Sequence, residues 1–262
     1  MPYVKRVTRA GKTIEVECYY TSRYKKKGIR RGDKVRPTTE QQKKINTRRA
    51  ERELRVLINA NYGYGDYHVV LPYVRVEGEP PRGREDMRKD MDIFLRGCRK
   101  EYKKAGLEFK YIHVMEVGKK GARHHHLVVN RIDVKILQEC WYKAYGGHTR
   151  VKVFPLDDSG QYAELAAYLI KYTDTHRGRG EGALQGKRWN CSKNLERPVP
   201  EYTIITDREY FRAEARPVKG YYVDKASVGR GVHSPEYCGY GYFRYTLVEL
   251  PSWGKDRVFT RD

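Results

Sequence analysis

The fold of this chain is decided by residues 111–130, YIHVMEVGKKGARHHHLVVN. The segment predicts two short β-strands, because apolar residues lie on both sides of a turn that contains two glycines. Alternate residues of a strand point to the same face of a sheet. His124 and His126 of the second strand therefore project together, and His125 points to the other face.

These two imidazoles have candidate partners on the first strand of the hairpin. Glu116 lies nearest the turn, and pairing across the hairpin would bring its carboxylate beside His124 and His126. Nitrogen and oxygen donors of this kind suit a divalent metal ion. His113 is the competing third ligand, but it points to the opposite strand face, which favours the glutamate. The alternative is a histidine cluster on the surface of an edge strand, although the LVV that follows indicates a buried strand, where imidazoles need partners.

The composition indicates a polyanionic partner. The chain has 262 residues, with 54 Lys+Arg against 33 Asp+Glu and a formal net charge of +21. Neutralising phosphates releases counterions, so an excess of cations this large favours nucleic acid. Five cysteines without a C-x-x-C pair argue against a zinc cluster or a disulfide framework. The sequence shows no signal peptide and no apolar run that could span a bilayer, so we expect a soluble cytoplasmic protein with no membrane partner.

Periodicity along the chain predicts an α+β fold. Helix and strand patterns surround the hairpin, which is typical of a central antiparallel sheet with flanking helices. Pro72 cannot donate a hydrogen bond to a strand ladder, so its strand is expected at an edge or with a bulge there. The predicted strands are 13–20, 67–76, 149–154, 202–206, 221–223 and 240–250, and the predicted helices are 38–59, 85–104, 133–145 and 160–173.

We expect three regions along the chain. Residues 1–60 would form a basic N-terminal strand, arm and helix, and residues 61–176 the core that contains the hairpin. Residues 177–262 would form a glycine-rich loop and a β-rich C-terminal extension with many tyrosine and arginine residues. The aromatic and cationic side chains of this extension would either bind single-stranded or hairpin DNA or pack as a small sheet on the core.

The DNA-binding residues predicted from charge lie at two places. The basic stretch 23–36 favours a flexible arm that contacts phosphates, and the alternative is a solubilising loop. A further cation lies at the start of the second hairpin strand. The predicted DNA-binding residues are Lys25, Lys26, Arg30, Arg31 and Arg123.

A second group of reactive side chains lies on the predicted helix 160–173. Tyr168, Lys171 and Tyr172 fall at i, i+3 and i+4, so they project from one face of that helix. A tyrosine oxygen can attack a phosphodiester once a cation polarises the phosphate. The alternative is a helix whose tyrosines cover its packing seam while the lysine faces solvent. Together with the candidate metal ligands and the net charge, this group predicts a metal-assisted DNA nicking reaction.

At these residues the chain resembles the HUH endonucleases, and among them the rolling-circle replication initiators of bacterial plasmids, phages and integrative elements. Their motif of histidine, hydrophobic residue, histidine and an apolar strand matches His124, His126 and LVV, with His125 at the position that is usually hydrophobic. A glutamate before a glycine-containing turn matches at Glu116. The first motif of the family aligns with HVVLPY at residues 68–73, where valine and proline replace the usual threonines.

The tyrosine motif of the family is similar as well. Tyrosine-x-x-lysine matches Tyr168 and Lys171, and Tyr172 resembles the second tyrosine of the two-tyrosine subclass found in phage initiators. The resemblance implies that Tyr168 attacks the DNA and leaves a 5′-phosphotyrosine and a free 3′-hydroxyl. It also implies that Tyr172 makes the second cleavage and that Lys171 positions or neutralises the phosphate.

The resemblance also implies a cofactor and partners. His124, His126 and Glu116 would hold Mn²⁺ or Mg²⁺. The substrate would be single-stranded or hairpin origin DNA in a bacterial cell that carries the mobile element. A host polymerase would extend the 3′-hydroxyl, and unwinding would need a host helicase or supercoiling, because the sequence has no Walker motif.

Other classes of protein stay open at this point. A mobilisation relaxase or a single-strand transposase would use the same chemistry. Relaxases tend to have a third histidine ligand and small transposases usually have one tyrosine, so Glu116 and Tyr172 favour the initiator. A non-catalytic DNA-binding regulator would keep the charge, but it would have no use for the intact set of ligands and nucleophiles.

Overall fold

Ten β-strands and five α-helices make up the described part of the chain, and the strands form two antiparallel sheets. The structure is a computed structural model and describes residues 3–21, 40–74, 80–117, 121–147, 149–175, 187–232 and 240–251. The side chains of residues 41, 42 and 172–175 lie outside that description. The predicted α+β class, with an antiparallel sheet and flanking helices, is confirmed.

The helices and the longer strands lie close to where the periodicity predicts them. Exceptions are β1, β7 and α5, which were not predicted, and β9, which is longer than expected. No helix among the described residues has both the length and the apolar character needed to cross a bilayer. The elements follow the chain as β1 (Tyr3–Ala10), β2 (Thr13–Tyr20), α1 (Glu40–Asn61), β3 (Tyr67–Pro72), α2 (Arg84–Lys104), β4 (Tyr111–Val117), β5 (Arg123–Val129), α3 (Val134–Tyr145), β6 (Lys152–Pro155), α4 (Ala163–Thr175), β7 (Asn190–Cys191), β8 (Glu201–Ile205), α5 (Asp207–Arg212), β9 (Tyr221–Val232) and β10 (Gly241–Glu249).

The chain divides into two compact units. One comprises residues 1–40, 159–161 and 197–262, and the other comprises residues 41–158 and 162–196. This grouping differs from the expected three regions, because the N-terminal strands β1 and β2 pair with β8 and β10 from the C-terminal part. The helix α1 belongs to the second unit, with the hairpin.

The unit built from both chain ends contains a five-stranded sheet with the order β8-β1-β2-β10-β9. All four pairings are antiparallel, and the β1–β2 hairpin lies at its centre. Tyr3, Cys18, Tyr210 and Phe243 are buried together, and the rings of Tyr3 and Tyr210 stack with their centroids 4.1 Å apart. The C-terminal aromatic residues of the chain therefore contribute to a core of this unit.

The other unit contains a sheet with the order β6-β3-β5-β4-β7, so the histidine strand β5 is central. The β4–β5 hairpin pairs Glu116 with His124 and Val114 with His126, and on the other side of β5 Val70 of β3 pairs with His126. Because facing residues in adjacent antiparallel strands point to the same side, these side chains share one face of the sheet.

Helices cover both faces of this sheet. Successive residues of a strand point to opposite faces, and here both faces carry apolar side chains that need cover. Leu127 and Val129 of β5 point to the face covered by α2 and α3, where they join the larger of the described apolar cores. Val128 points to the opposite face, together with Ile112 and Val114 of β4, and packs against α1 and α4. The face that carries His124 and His126 is therefore the face on which α4 packs.

The prediction that the strand containing Pro72 lies at an edge or carries a bulge is wrong. β3 is flanked by β5 on one side and by β6 on the other, and its pairing with β5 runs without a register shift. Pro72 is tolerated because it is the last residue of β3. The ladder to β6 already ends at the pair of Val70 and Lys152, so the missing N–H leaves no gap in it.

Candidate metal and nucleophile site

Glu116, His124 and His126 come together on one face of the sheet. Each offers a ligand atom, and these atoms lie within 4.8 Å of one another. Glu116 and His126 are almost fully buried, with 5% and 3% of their surface exposed, whereas His124 is half-buried. The geometry follows from strand register, because Glu116 faces His124 directly across the hairpin and His126 lies two residues further along.

The donor atoms in this group fit a divalent metal ion. His126 Nε2 lies 2.5 Å from Glu116 Oε2, but this contact does not have the geometry of a hydrogen bond. Nδ1 of His124 and Nε2 of His126 are both buried without a hydrogen-bond partner among the described residues. Burying a polar atom without a hydrogen-bond partner lowers the stability of the folded state, so these two nitrogens favour a ligand between them. Mn²⁺ accepts two imidazole nitrogens and a carboxylate as ligands. Mg²⁺ usually takes fewer ligands from the protein and keeps several waters.

His68 of β3 is a site residue that the sequence analysis missed. Its Nε2 lies 3.1 Å from Nδ1 of His126, on the side of that ring away from Glu116. Burial, and then the neighbouring His126, lower the pKa of His68 to about 4, so its ring is neutral at neutral pH. The signal was present as a histidine in an otherwise apolar strand. Assigning His68 to the site requires the register between β3 and β5, which local sequence does not give.

A pocket of about 530 Å³ opens beside these ligands. Its walls come from the site face of β3, β5 and β6, from Glu116 of β4 and from one side of α4. Apolar, aromatic and charged side chains all contribute to its lining. The pocket is lined by His68, Val70, Pro72, Glu116, His124, His126, Lys152, Phe154, Glu164, Leu165 and Tyr168.

Tyr168 reaches this pocket because of its position on α4. Ala166, Leu169 and Ile170 of that helix are buried against the sheet, and Tyr168 lies on the flank with 38% of its surface exposed. The centroid of its ring is 5.5 Å from that of His126, and the two planes meet at 74°. The phenol is thus placed beside the candidate metal ligands.

The other predicted residues of α4 are placed differently. Lys171 is exposed and does not line the pocket, in which the described lysine is Lys152 of β6. The backbone of Tyr172 belongs to α4, one turn after Tyr168, but its side chain lies outside the described residues. Lys152 was not predicted, because only the pairing of β6 with β3 brings it to the site.

His125 and His113 point to the opposite face of the sheet, where they are buried. Nδ1 of His125 lies 2.9 Å from Nε2 of His113, and Nε2 of His125 lies 2.8 Å from the hydroxyl of Tyr73. The Tyr73 hydroxyl donates to Asp90, which also receives two hydrogen bonds from Arg82. Burial lowers the pKa of His113 to about 3 and that of His125 well below its usual value, so both rings stay neutral. The competing third ligand, His113, is thus part of a buried network on the far side of the sheet.

The predicted DNA-binding cations are not gathered at the pocket. Arg123 is half-buried on the same sheet face as His125, and its guanidinium donates to the carbonyl oxygen of Arg82. Lys25, Lys26, Arg30 and Arg31 lie outside the described residues.

Comparison with known families finds a match over this part of the chain. Residues 66–176 match the family described as replication-associated protein ORF2/G2P. The matched range runs from β3 to α4 and so includes Glu116, His124, His126 and Tyr168. Comparisons with curated proteins and with solved structures give no match. The family match supports a role in the initiation of replication, with DNA as the partner.

Proposed function

We propose that this chain is a rolling-circle replication initiator of the two-tyrosine HUH type, which nicks and rejoins single-stranded origin DNA. The observation that carries the proposal is the convergence of Tyr168 with Glu116, His124 and His126 in one pocket. The match of residues 66–176 to a replication-associated family supports it, as does the net charge of +21. A host polymerase and a host helicase would supply the synthesis and unwinding that follow.

The reaction that this arrangement suits is a transesterification. The phenolic oxygen of Tyr168 attacks the scissile phosphorus and forms the new O–P bond, while the bond to the 3′ oxygen breaks. The phenol loses its proton and the departing 3′ oxygen gains one, so the products are a 5′-phosphotyrosine and a 3′-hydroxyl. Glu116, His124 and His126 would hold Mn²⁺ or Mg²⁺, which would polarise the phosphate and offset its charge.

The remaining residues have supporting roles in this proposal. Tyr172, one helical turn after Tyr168, would make the second cleavage that releases the copied strand. Lys171 would position or neutralise a phosphate from the exposed side of α4. The basic residues Lys25, Lys26, Arg30 and Arg31, and the cation of Arg123, would bind the DNA backbone through charge. The energy of the phosphodiester bond is kept in the phosphotyrosine, so the same site can rejoin strands.

The proposal is tested with single-stranded oligonucleotides that tile the DNA around the chain's own coding sequence, incubated with Mn²⁺. Because the 5′ end of the downstream fragment would stay on tyrosine, a 3′-label should appear on a protein band in a denaturing gel. A 5′-label should appear on a shortened free strand. Both products should be absent in EDTA. A tile set that yields binding but no adduct at any sequence would contradict nicking and favour the regulator.

His68 should set the metal affinity of the site. If His126 held the metal through Nε2, its Nδ1 would donate to Nε2 of His68, 3.1 Å away, and this hydrogen bond would fix the tautomer and orientation of the ring. We expect His68→Phe, which keeps a ring but loses the acceptor, to weaken Mn²⁺ binding roughly 10- to 100-fold. Calorimetric titration of the free protein with Mn²⁺ measures this constant. His68→Gln restores an acceptor and should recover part of the affinity, and a folded His68→Phe variant with unchanged affinity would contradict the role.

A further inference from the structure

Three aromatic rings run in a row outward from the candidate metal site, and the first two meet edge to edge through the 3.1 Å contact between Nδ1 of His126 and Nε2 of His68. The rings of His126 and His68 lie 5.4 Å apart with an angle of 18° between their planes. The rings of His68 and Phe154 follow at 5.6 Å and 27°. The row therefore begins at a predicted metal ligand and ends at Phe154 on β6, which is the outer strand of its sheet.

Phe154 is unusual because half of its surface is exposed. Phenylalanine is one of the side chains most often buried in proteins. One side of this ring packs on His68, while the residue lines the same pocket as Tyr168. An exposed phenyl ring in the wall of a pocket offers a flat apolar surface for another planar group.

Lys152 lies beside this ring on the same face of β6. It pairs with Val70 of β3, as Phe154 pairs with His68, and alternate strand residues point the same way. Two residues of a strand span roughly 7 Å, a distance comparable to that from a base to a neighbouring phosphate. Lys152 is exposed and also lines the pocket, so a cation and an aromatic ring face the same ligand space.

We propose that Phe154 and Lys152 form a nucleotide subsite on β6, in which the ring stacks on an unpaired base next to the scissile phosphate and the ammonium group binds the adjoining backbone phosphate. The inference rests on the proposed function, because it assigns the strand that enters the site. An unpaired base is required, since in a duplex both faces of each base are already stacked. Stacking tolerates any base, so this subsite selects for single-strandedness and leaves the choice of sequence to other contacts.

The subsite is tested by binding without chemistry. In EDTA, the affinity of the full chain for a fluorescent single-stranded oligonucleotide is measured by anisotropy. Phe154→Ala should weaken binding roughly 5- to 150-fold, the range expected for loss of one base stack, and Phe154→Trp should keep the affinity. Lys152→Gln should lower the slope of log affinity against log salt by about 0.7, the value for one phosphate contact on a single strand.

A matched control and a spectroscopic signal separate this role from a general loss of structure. Tyr142 is 40% exposed on α3, which packs on the opposite face of the sheet, and Tyr142→Ala should leave the affinity unchanged. The fluorescence of 2-aminopurine, placed at successive positions of the oligonucleotide, should be quenched at one position by the parent chain and Phe154→Trp. That quenching should be absent with Phe154→Ala. It should also be absent with Phe154→Leu, which keeps an apolar side chain of similar size but has no ring.

The inference is overturned if folded Phe154→Ala binds single strands as tightly as the parent chain and quenches the same position. It is also overturned if Tyr142→Ala weakens binding equally. Its failure is distinguishable from that of the proposed function. If the Mn²⁺-dependent adduct forms while Phe154→Ala binds normally, only the subsite is wrong. If no adduct forms and the Phe154 effects occur, only the nicking reaction is wrong.

Discussion

Tyr168→Phe should abolish the covalent protein–DNA adduct, with a fall in the cleavage rate of at least about 10³-fold. The substitution removes one oxygen, the proposed nucleophile, and keeps the ring that lies 5.5 Å from that of His126. The expected loss is therefore chemical, and binding of single-stranded DNA in EDTA should stay close to that of the parent chain. The measurement is the initial rate of adduct formation with a 3′-labelled oligonucleotide and Mn²⁺.

Two other tyrosines of this region supply the controls. Tyr162 is buried near the start of α4, and its hydroxyl donates to the carbonyl oxygen of Asp157 at 2.9 Å. Tyr162→Phe also removes one phenolic oxygen, but away from the pocket, so it should leave the adduct rate nearly unchanged. Tyr172→Phe should keep the first adduct and lose the second strand transfer. An adduct that persists in Tyr168→Phe and vanishes in Tyr172→Phe would reverse the assignment of the two nucleophiles.

The hairpin and its faces could be predicted because they depend on local pattern. Strand period alone places His124 and His126 on one face and His125 on the other, and the turn between β4 and β5 limits which residues can pair. The same reasoning favours Glu116 over His113, and the structure has Glu116 opposite His124. The position of Tyr168 on the flank of α4 follows in the same way from the apolar face of that helix.

The parts that could not be predicted depend on pairings between distant segments. His68 and Phe154 reach the site only because β3 pairs with both β5 and β6, and no local signal gives those registers. Pro72 by itself predicts an edge strand or a bulge, whereas β3 is an inner strand and its ladder to β6 ends before the proline. The joining of both chain ends in one sheet was missed for the same reason, since the partner of β1 lies about two hundred residues away in β8.

The second large effect is expected from removal of a metal ligand. His126→Ala should weaken Mn²⁺ binding by at least about 100-fold, more than loss of an outer partner such as His68, and should eliminate the EDTA-sensitive adduct. His126 is the ring most directly bound into the site, because Glu116 approaches its Nε2 and His68 its Nδ1. Removal of His126 therefore takes away one metal donor. It also takes away the ring that the Glu116 carboxylate and the His68 imidazole both contact.

The same substitution removes a buried ring from the site face of the sheet, so some loss of stability is expected as well, on the order of 1–3 kcal/mol. Two measurements separate that cost from the loss of the metal. Thermal unfolding in EDTA reports stability alone, and binding of single-stranded DNA in EDTA reports whether the pocket keeps its shape. His124→Ala provides a comparison, because His124 is only half-buried and its loss should reduce Mn²⁺ binding with a smaller effect on unfolding. If a folded His126→Ala variant still bound Mn²⁺ with the parent affinity, Glu116, His124 and His126 would not be the ligand set, and the metal would have to be sought elsewhere in the chain.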